Sequence, residues 1–398
     1  MLVDILGFTI VIPLLPFYAL HFGASTFVAN VLVSVYAICS LISTPIIGKL
    51  SDQYGRKPLL MYSQAGTCAG FLVLAASSSL WMVVIGRILP GLAAGNLSIA
   101  QAYISDHTAP ENRTKAFGVI GVAFGIGFML GPALGGWLGK IALHLPFIVA
   151  ASLSGLAMLC TYVLLPKEGP PAEIKPEMGP GGRRPSAFDW KTYSEYFGRP
   201  ALRALYIQFF LFSFAFSFFF SGFALFAHLT PELAWGPDEV GYLFAYAGFL
   251  GILLQGGLLG RLVKKYGEFK LSIVAFVASI VAYVIVGFAT TVAMLVIAST
   301  VNTFGQGISR PVLTARLTQA VARNEQGVVL GISGSLGSVA MFLSPLLSGA
   351  LLHNDWLLAW ALVPAAVSLL GLIAVLAWAG VTEKAASNVV KPELHSRA

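Results

Sequence analysis

Asp4 is a carboxylate inside an otherwise apolar run, MLVDILGFTIVIPLLPFYAL, in which Pro13 and Pro16 follow it. Hydrocarbon makes such a charge expensive, so an acid kept at that depth marks an ion or substrate path by default. Its chemistry would be proton uptake and release; the plainer reading leaves Asp4 at the helix start as a cap. Arg87 supplies the opposite charge in the apolar run 81–104. Counted at ~1.5 Å per residue, Arg87 lies ~9 Å from Trp81 and Asp4 ~25 Å from His21, so the two stand at different depths and a direct pair is not expected. A structural role for Arg87, tied to backbone carbonyls, is the alternative.

The loop Gly48-Lys-Leu-Ser-Asp-Gln-Tyr-Gly-Arg-Lys-Pro58 is a second group. Gly48 and Gly55 permit a tight turn and close helix approach, while Asp52, Arg56 and Lys57 can make charge-assisted contacts with a neighbouring helix end. By composition alone it is equally a basic loop. Ligand pockets are mainly apolar with a few placed polar groups, which makes Tyr36, Gln208, Gln255, Asn302 and Gln306 candidates for lining a substrate cavity. Hydrogen bonds between helices would use the same side chains equally well. The ten phenylalanines between Phe209 and Phe226 cover every helical face, so most meet lipid or neighbouring helices and a minority could wall a greasy substrate. Arg310 reads as a snorkelling side chain. Cys39, Cys68 and Cys160 lie in apolar runs as small hydrophobes; neither a disulfide nor a metal centre is expected, no cofactor is implied, and there is no GxxxxGK[ST] phosphate loop.

The elements that hold these residues follow from composition. Of 398 residues, 57% are hydrophobic and 10% charged, against about a quarter charged in ordinary soluble domains. Lipid cannot satisfy exposed backbone groups, so an all-α integral membrane protein is expected. Spans are predicted at 1–20, 28–47, 59–78, 81–104, 116–139, 145–165, 204–227, 239–259, 271–289, 292–314, 328–351 and 356–380, twelve in all. The formal charge of +7 could suggest nucleic acid, but 20 of the 24 Lys and Arg residues fall in loops and tails of one side. That bias is membrane topology and excludes a nucleic-acid partner; it makes the basic side cytoplasmic, with both termini there. Lys140 is the one basic residue in an opposite-side loop.

Residues 167–203, rich in Pro and Gly, read as a cytoplasmic linker between two six-helix bundles, 1–166 and 204–381, with 382–398 a cytoplasmic tail. Within the linker FDWKTYSEYF either lies flat at the interface or is a solvated loop. At an offset of 213, Gly118, Gly121, Pro132 and Gly136 fall on Gly331, Gly334, Pro345 and Gly349, and near 212 GKLSDQYG (48–55) falls on GRLVKKYG (260–267). Pseudo-symmetric repeats of this kind suit a transporter with its binding site where the repeats meet.

The loop pattern GxLxDxxGRKxxL resembles that of the major facilitator superfamily. Asp4 with Pro13 and Pro16, Arg87 with Gly91, and the run Gly127, Gly131, Pro132, Gly135, Gly136 (GxxxGPxxGG) resemble the drug/proton antiporter branch that includes the tetracycline efflux proteins; 309–327 resembles the region between its tenth and eleventh helices. Pro90 stands where that branch usually has glutamine, Lys264 takes the place of Asp52 in the second half, and spans three, eight and nine, apart from Glu239 at the very start of the eighth, lack the acidic or histidine residues described for tetracycline exporters. The resemblance implies proton-coupled, alternating-access efflux of lipophilic, drug-like compounds. In that scheme Asp4 carries the proton, Arg87 helps couple it through water or Asn96, the 48–58 loop latches the cytoplasmic side, and the glycine-rich span controls leakage. Partners would be a small-molecule substrate, protons and the bilayer, the chain acting as a monomer in a cell membrane, the bacterial inner membrane by resemblance. A facilitator or symporter for a sugar, metabolite or organic anion is the nearest alternative. An embedded enzyme or receptor is remote, since no cluster of catalytic side chains is found at membrane depth.

Overall fold

A computed structural model describes residues 2–11, 13–107, 110–166, 190–321 and 325–380; the remaining linker residues and the tail lie outside the described residues. The regular elements are helices: α1 (Leu2–Val11), α2 (Leu15–His21), α3 (Thr26–Tyr54), α4 (Arg56–Ala75), α5 (Leu80–Leu92), α6 (Asn96–His107), α7 (Pro110–Ile141), α8 (Leu145–Leu164), α9 (Trp190–Gly198), α10 (Pro200–Leu229), α11 (Pro237–Leu253), a π-helical turn (Leu254–Leu258), α12 (Leu259–Gly287), α13 (Val292–Gln319), α14 (Gln326–His353) and α15 (Leu357–Ala377). Leu369, Leu370, Ile373 and Leu376 of α15 are exposed, a greasy surface that water would not tolerate and lipid does.

Among the described residues, ten stretches are long and apolar enough to cross a membrane, and the bent pair α1–α2 adds an eleventh. One of the ten, Pro237–Gly287, has 51 residues, about 76 Å of helix against a core of about 30 Å. Gly267 breaks it at φ 75° and ψ 160°, so it accounts for two crossings and the total reaches the expected twelve. The predicted span 239–259 runs through α11, the π-helical turn and the start of α12, and two others are broken more sharply. The first bends by 42° between α1 and α2, where Pro13 cannot donate a backbone hydrogen bond, and the fourth divides into α5 and α6 around Ala93–Gly95.

The described residues pack as two compact units. One takes those before 174 with Phe220–Ile252 and Pro345–Leu357; the other takes 190–219, Leu253–Ser344 and those from Leu358 on. In the first, α4 lies against α8 and α5, and α1 against α7 and α8; in the second, α12 pairs with α13. The second unit has a core of Leu205, Phe209, Phe276, Leu313 and Val329. Helix α9 joins it: Tyr196 is buried in that cluster, Arg199 forks onto Glu325 at 2.8 and 3.1 Å, and the Tyr196 hydroxyl donates to the same carboxylate at 3.2 Å. The end of FDWKTYSEYF is therefore a helix held against the second unit, not a loop.

The repeated loop recurs in the backbone. Gly55 sits at φ 95° and ψ 153° and Gly267 at φ 75° and ψ 160°, a left-handed extended conformation open essentially to glycine alone.

Candidate functional site

In the first unit Asp4 is half-buried on α1 and meets Gln64 of α4, whose Nε2 lies 3.3 Å from each carboxylate oxygen. Gln64 is 1% exposed, and its Oε1 has no hydrogen-bond partner. One turn along α1 from Asp4, Phe8 packs on the Tyr36 ring at 6.0 Å. On Tyr36 in turn lies the Arg87 guanidinium, 4.8 Å from the ring centroid. Arg87 is 5% exposed, and its Nε donates to the Leu32 carbonyl at 3.4 Å. The arginine thus goes to a ring and a carbonyl rather than to Asp4 or to Asn96, whose buried Oδ1 has no hydrogen-bond partner. Tyr36 is not free to line a cavity alone; it joins α1 to Arg87.

The loop between α3 and α4 is a charge cluster. Arg56 reaches Asp52 at 2.6 Å and Asp106 of α6 at 2.9 Å, and its Nη1 donates to Ser51 Oγ at 2.7 Å. Lys57 donates to the Tyr162 carbonyl at 2.8 Å and to that of Leu165, where a cation complements the end of α8. Gly55 is needed for its backbone conformation. Gly48 is not needed for close packing: a Cβ built there meets nothing within 4 Å.

Helix α7 shows why its glycines are small. A Cβ on Gly127 would strike Ile5, one on Gly131 would strike Thr9 Oγ1, and one on Gly135 would strike the Ile10 carbonyl oxygen. Thr9 Oγ1 donates to the Gly127 carbonyl at 2.8 Å. Gly136 faces elsewhere, with the Pro237 carbonyl 2.6 Å from a Cβ position, and the Pro132 carbonyl occupies the space a Cβ on Gly241 would need. The stripe therefore seats α1 on one face and the start of α11 on another. At that end Lys140 Nζ bonds Asp238 Oδ2 at 2.7 Å, and Asp238 is 8% exposed. This partner explains a basic residue on the side that topology predicts to be poor in them.

In the second unit Gln208 is fully buried. Its amide donates to the Ala374 carbonyl at 3.4 Å and accepts from Arg316 at 3.3 Å, so it ties helices together. Arg316, which also donates to Ser272 Oγ at 3.1 Å, was missed because the predicted span stops at 314 whereas α13 runs to Gln319. Gln306 donates to the Tyr283 hydroxyl at 2.8 Å, and Phe219 packs on that ring at 5.2 Å. Asn302 Oδ1 and Gln306 Oε1, one turn apart on α13, are buried without a hydrogen-bond partner. Gln255 is exposed in the π-helical turn, with Nε2 4.0 Å from the Cβ position of Gly307. Gln64 is the other residue that sequence reasoning missed; its signal was an amide in the apolar segment MYSQAG.

The sequence profile of the Major Facilitator Superfamily matches residues 1–268 and 212–396. The class C tetracycline resistance protein of Escherichia coli is 31% identical over 356 residues, 87% of this chain and 86% of that protein. Multidrug resistance protein 2 of Bacillus subtilis (strain 168) is 27% identical over 360 residues, 88% and 86% of the two chains. Among solved structures, the human organic anion transporter MFSD10 superposes with a TM-score of 0.71 at 22% identity, covering 94% of this chain and 96% of that one. The nucleoside transporter NupG gives 0.76 at 14% identity with the same coverage. Both share the fold.

Proposed function

Because the chain belongs to the Major Facilitator Superfamily, and so is a multi-pass membrane transporter of small molecules rather than an enzyme, we propose that it exports lipophilic, drug-like compounds in exchange for protons. Asp4 carries the proton, and Arg87, joined to the same helix through Tyr36 and Phe8, helps couple it. The halves 1–166 and 204–381 rock to give alternating access, the Arg56 cluster latching the cytoplasmic side. Both termini lie in the cytoplasm, and the membrane is the bacterial inner membrane. The observation that carries this is Asp4 itself, an acid in the first apolar helix, on α1 where that helix packs against the glycine face of α7. Relatives named for tetracycline and multidrug resistance support the direction and the substrate class.

A proton driven by ~150 mV supplies ~3.5 kcal/mol, a gradient of a few hundredfold, which is enough for resistance without ATP. The test uses everted vesicles loaded with a pH-sensitive dye: adding a substrate compound should release protons from the acidified lumen, and Asp4→Asn should end that release. Silence across a broad drug panel, or full pH-driven transport by Asp4→Asn, would remove the reading.

A further inference from the structure

Gln64 cannot avoid Asp4. Its helix is held on two sides: the Gln64 carbonyl accepts from Ser154 Oγ at 3.1 Å, Cys68 Sγ reaches the Ala151 carbonyl at 3.4 Å, Ser63 Oγ donates to the Ala93 carbonyl, and Gly66 leaves no room for even a Cβ against Ala93. Within that frame Nε2 stands equally far, 3.3 Å, from both oxygens of Asp4, as suits a donor shared by an ionised carboxylate. The cost of the arrangement falls on Oε1, buried and without a hydrogen-bond partner. An ionised carboxylate only accepts hydrogen bonds and can do nothing for it. A carboxylic acid has one O–H to give.

We propose that Gln64 is a positioning residue that reads the protonation of Asp4. The incoming proton bonds to one Asp4 oxygen; the new O–H donates to Gln64 Oε1 while the other oxygen keeps the Nε2–H, closing a cyclic acid–amide pair. Closing the pair calls for the Gln64 amide to turn about its terminal torsion, and such torsions are soft. Other ionisable groups on the surrounding helices are few. By sequence α7 has none between Lys115 and Lys140, and α8 has Cys160 and Tyr162. On α4, Cys68 is engaged with Ala151, Tyr62 is exposed, and Lys57 is held by the end of α8. Arg56 at the start of α4 holds Asp52 of α3 and Asp106 of α6; by sequence α6 also carries Tyr103 and His107 and α3 also Cys39, Lys49 and Tyr54, while Tyr36 of α3 and Arg87 of α5 hold each other.

This rests on Asp4 as proton carrier, so the test separates the two. Infrared difference spectra of the full chain in nanodiscs are recorded through a pH titration. The acid carbonyl band is assigned by its loss in Asp4→Asn, and the side-chain amide band by its loss in Gln64→Met, an unbranched replacement of similar length. Carbon-13 glutamine labelling shifts the amide bands of all eight glutamines away from the acid carbonyl, and the Gln64 component is the one absent from labelled Gln64→Met. The expected result is one shared titration curve for both bands, and a midpoint of pH-dependent transport moved by about one unit in Gln64→Met, tenfold in proton concentration. An amide band that stays still while the Asp4 acid band appears overturns the proposal and leaves the carrier reading standing. Bands that move together in a protein whose Asp4→Asn variant still transports with full pH dependence support the pair and defeat the carrier reading.

Discussion

A buried guanidinium without a carboxylate is costly, and Arg87 offsets that cost with the Leu32 carbonyl and the face of Tyr36. The ring contact is worth about 0.5–2 kcal/mol. Tyr36→Phe keeps the face and should retain most transport, whereas Tyr36→Leu removes it and should lower transport severalfold; equal losses in a vesicle assay would show that the hydroxyl, not the face, matters. Arg87→Lys should fare no better than Tyr36→Leu, because an ammonium lacks the planar fork that stacks. Charged residues in apolar runs stand out against their surroundings, so Asp4 and Arg87 were legible in the sequence. Gln64 was not, since an amide in a membrane helix reads first as a bond between helices, and its orphaned oxygen exists only once α4 has been pinned beside α1.

Glycine spacing in α7 was equally visible, but which glycine meets which helix depends on the rotation of α7 about its axis, and that is set by neighbours distant in sequence. The structure separates positions that the pattern treats alike. Gly135→Ala drives a Cβ into the Ile10 carbonyl, a backbone atom that cannot turn aside, and should destabilise by about 1–3 kcal/mol, the usual range for overpacking. Gly131→Ala meets Thr9 Oγ1 and also endangers the Thr9 bond to Gly127. Gly48→Ala enters open space and should stay within about 0.5 kcal/mol of the parent. Thermal unfolding of the purified variants in detergent checks the order; equal losses at Gly48 and Gly135 would refute the packing. Gly267→Ala is a different case, with free space for the methyl but a backbone at φ 75° and ψ 160° that should cost about 1–3 kcal/mol.

Across the whole chain, alternating access demands that every contact closing one end of the transport path be broken in the other half of the cycle. At the ends of α7 and α11, Gly136 and Gly241 let backbone meet backbone and Lys140 is bonded to Asp238; the proposed exchange cycle takes this as one such contact. The two partners are unequally placed: the Lys140 side chain is 68% exposed, that of Asp238 11%. Removing the lysine leaves a buried carboxylate without its cation, so Lys140→Ala should open this end more readily, while Asp238→Asn should be milder because an amide still hydrogen-bonds. A covalent link tests the requirement itself. In a chain with Cys39, Cys68 and Cys160 replaced, Lys140→Cys with Asp238→Cys joined by a short cleavable bis-methanethiosulfonate should halt vesicle transport, and reduction should restore it. If the cross-link forms quantitatively and transport continues, this end of α7 does not part from α11 during the cycle, and the proposed exchange mechanism loses the gate it needs.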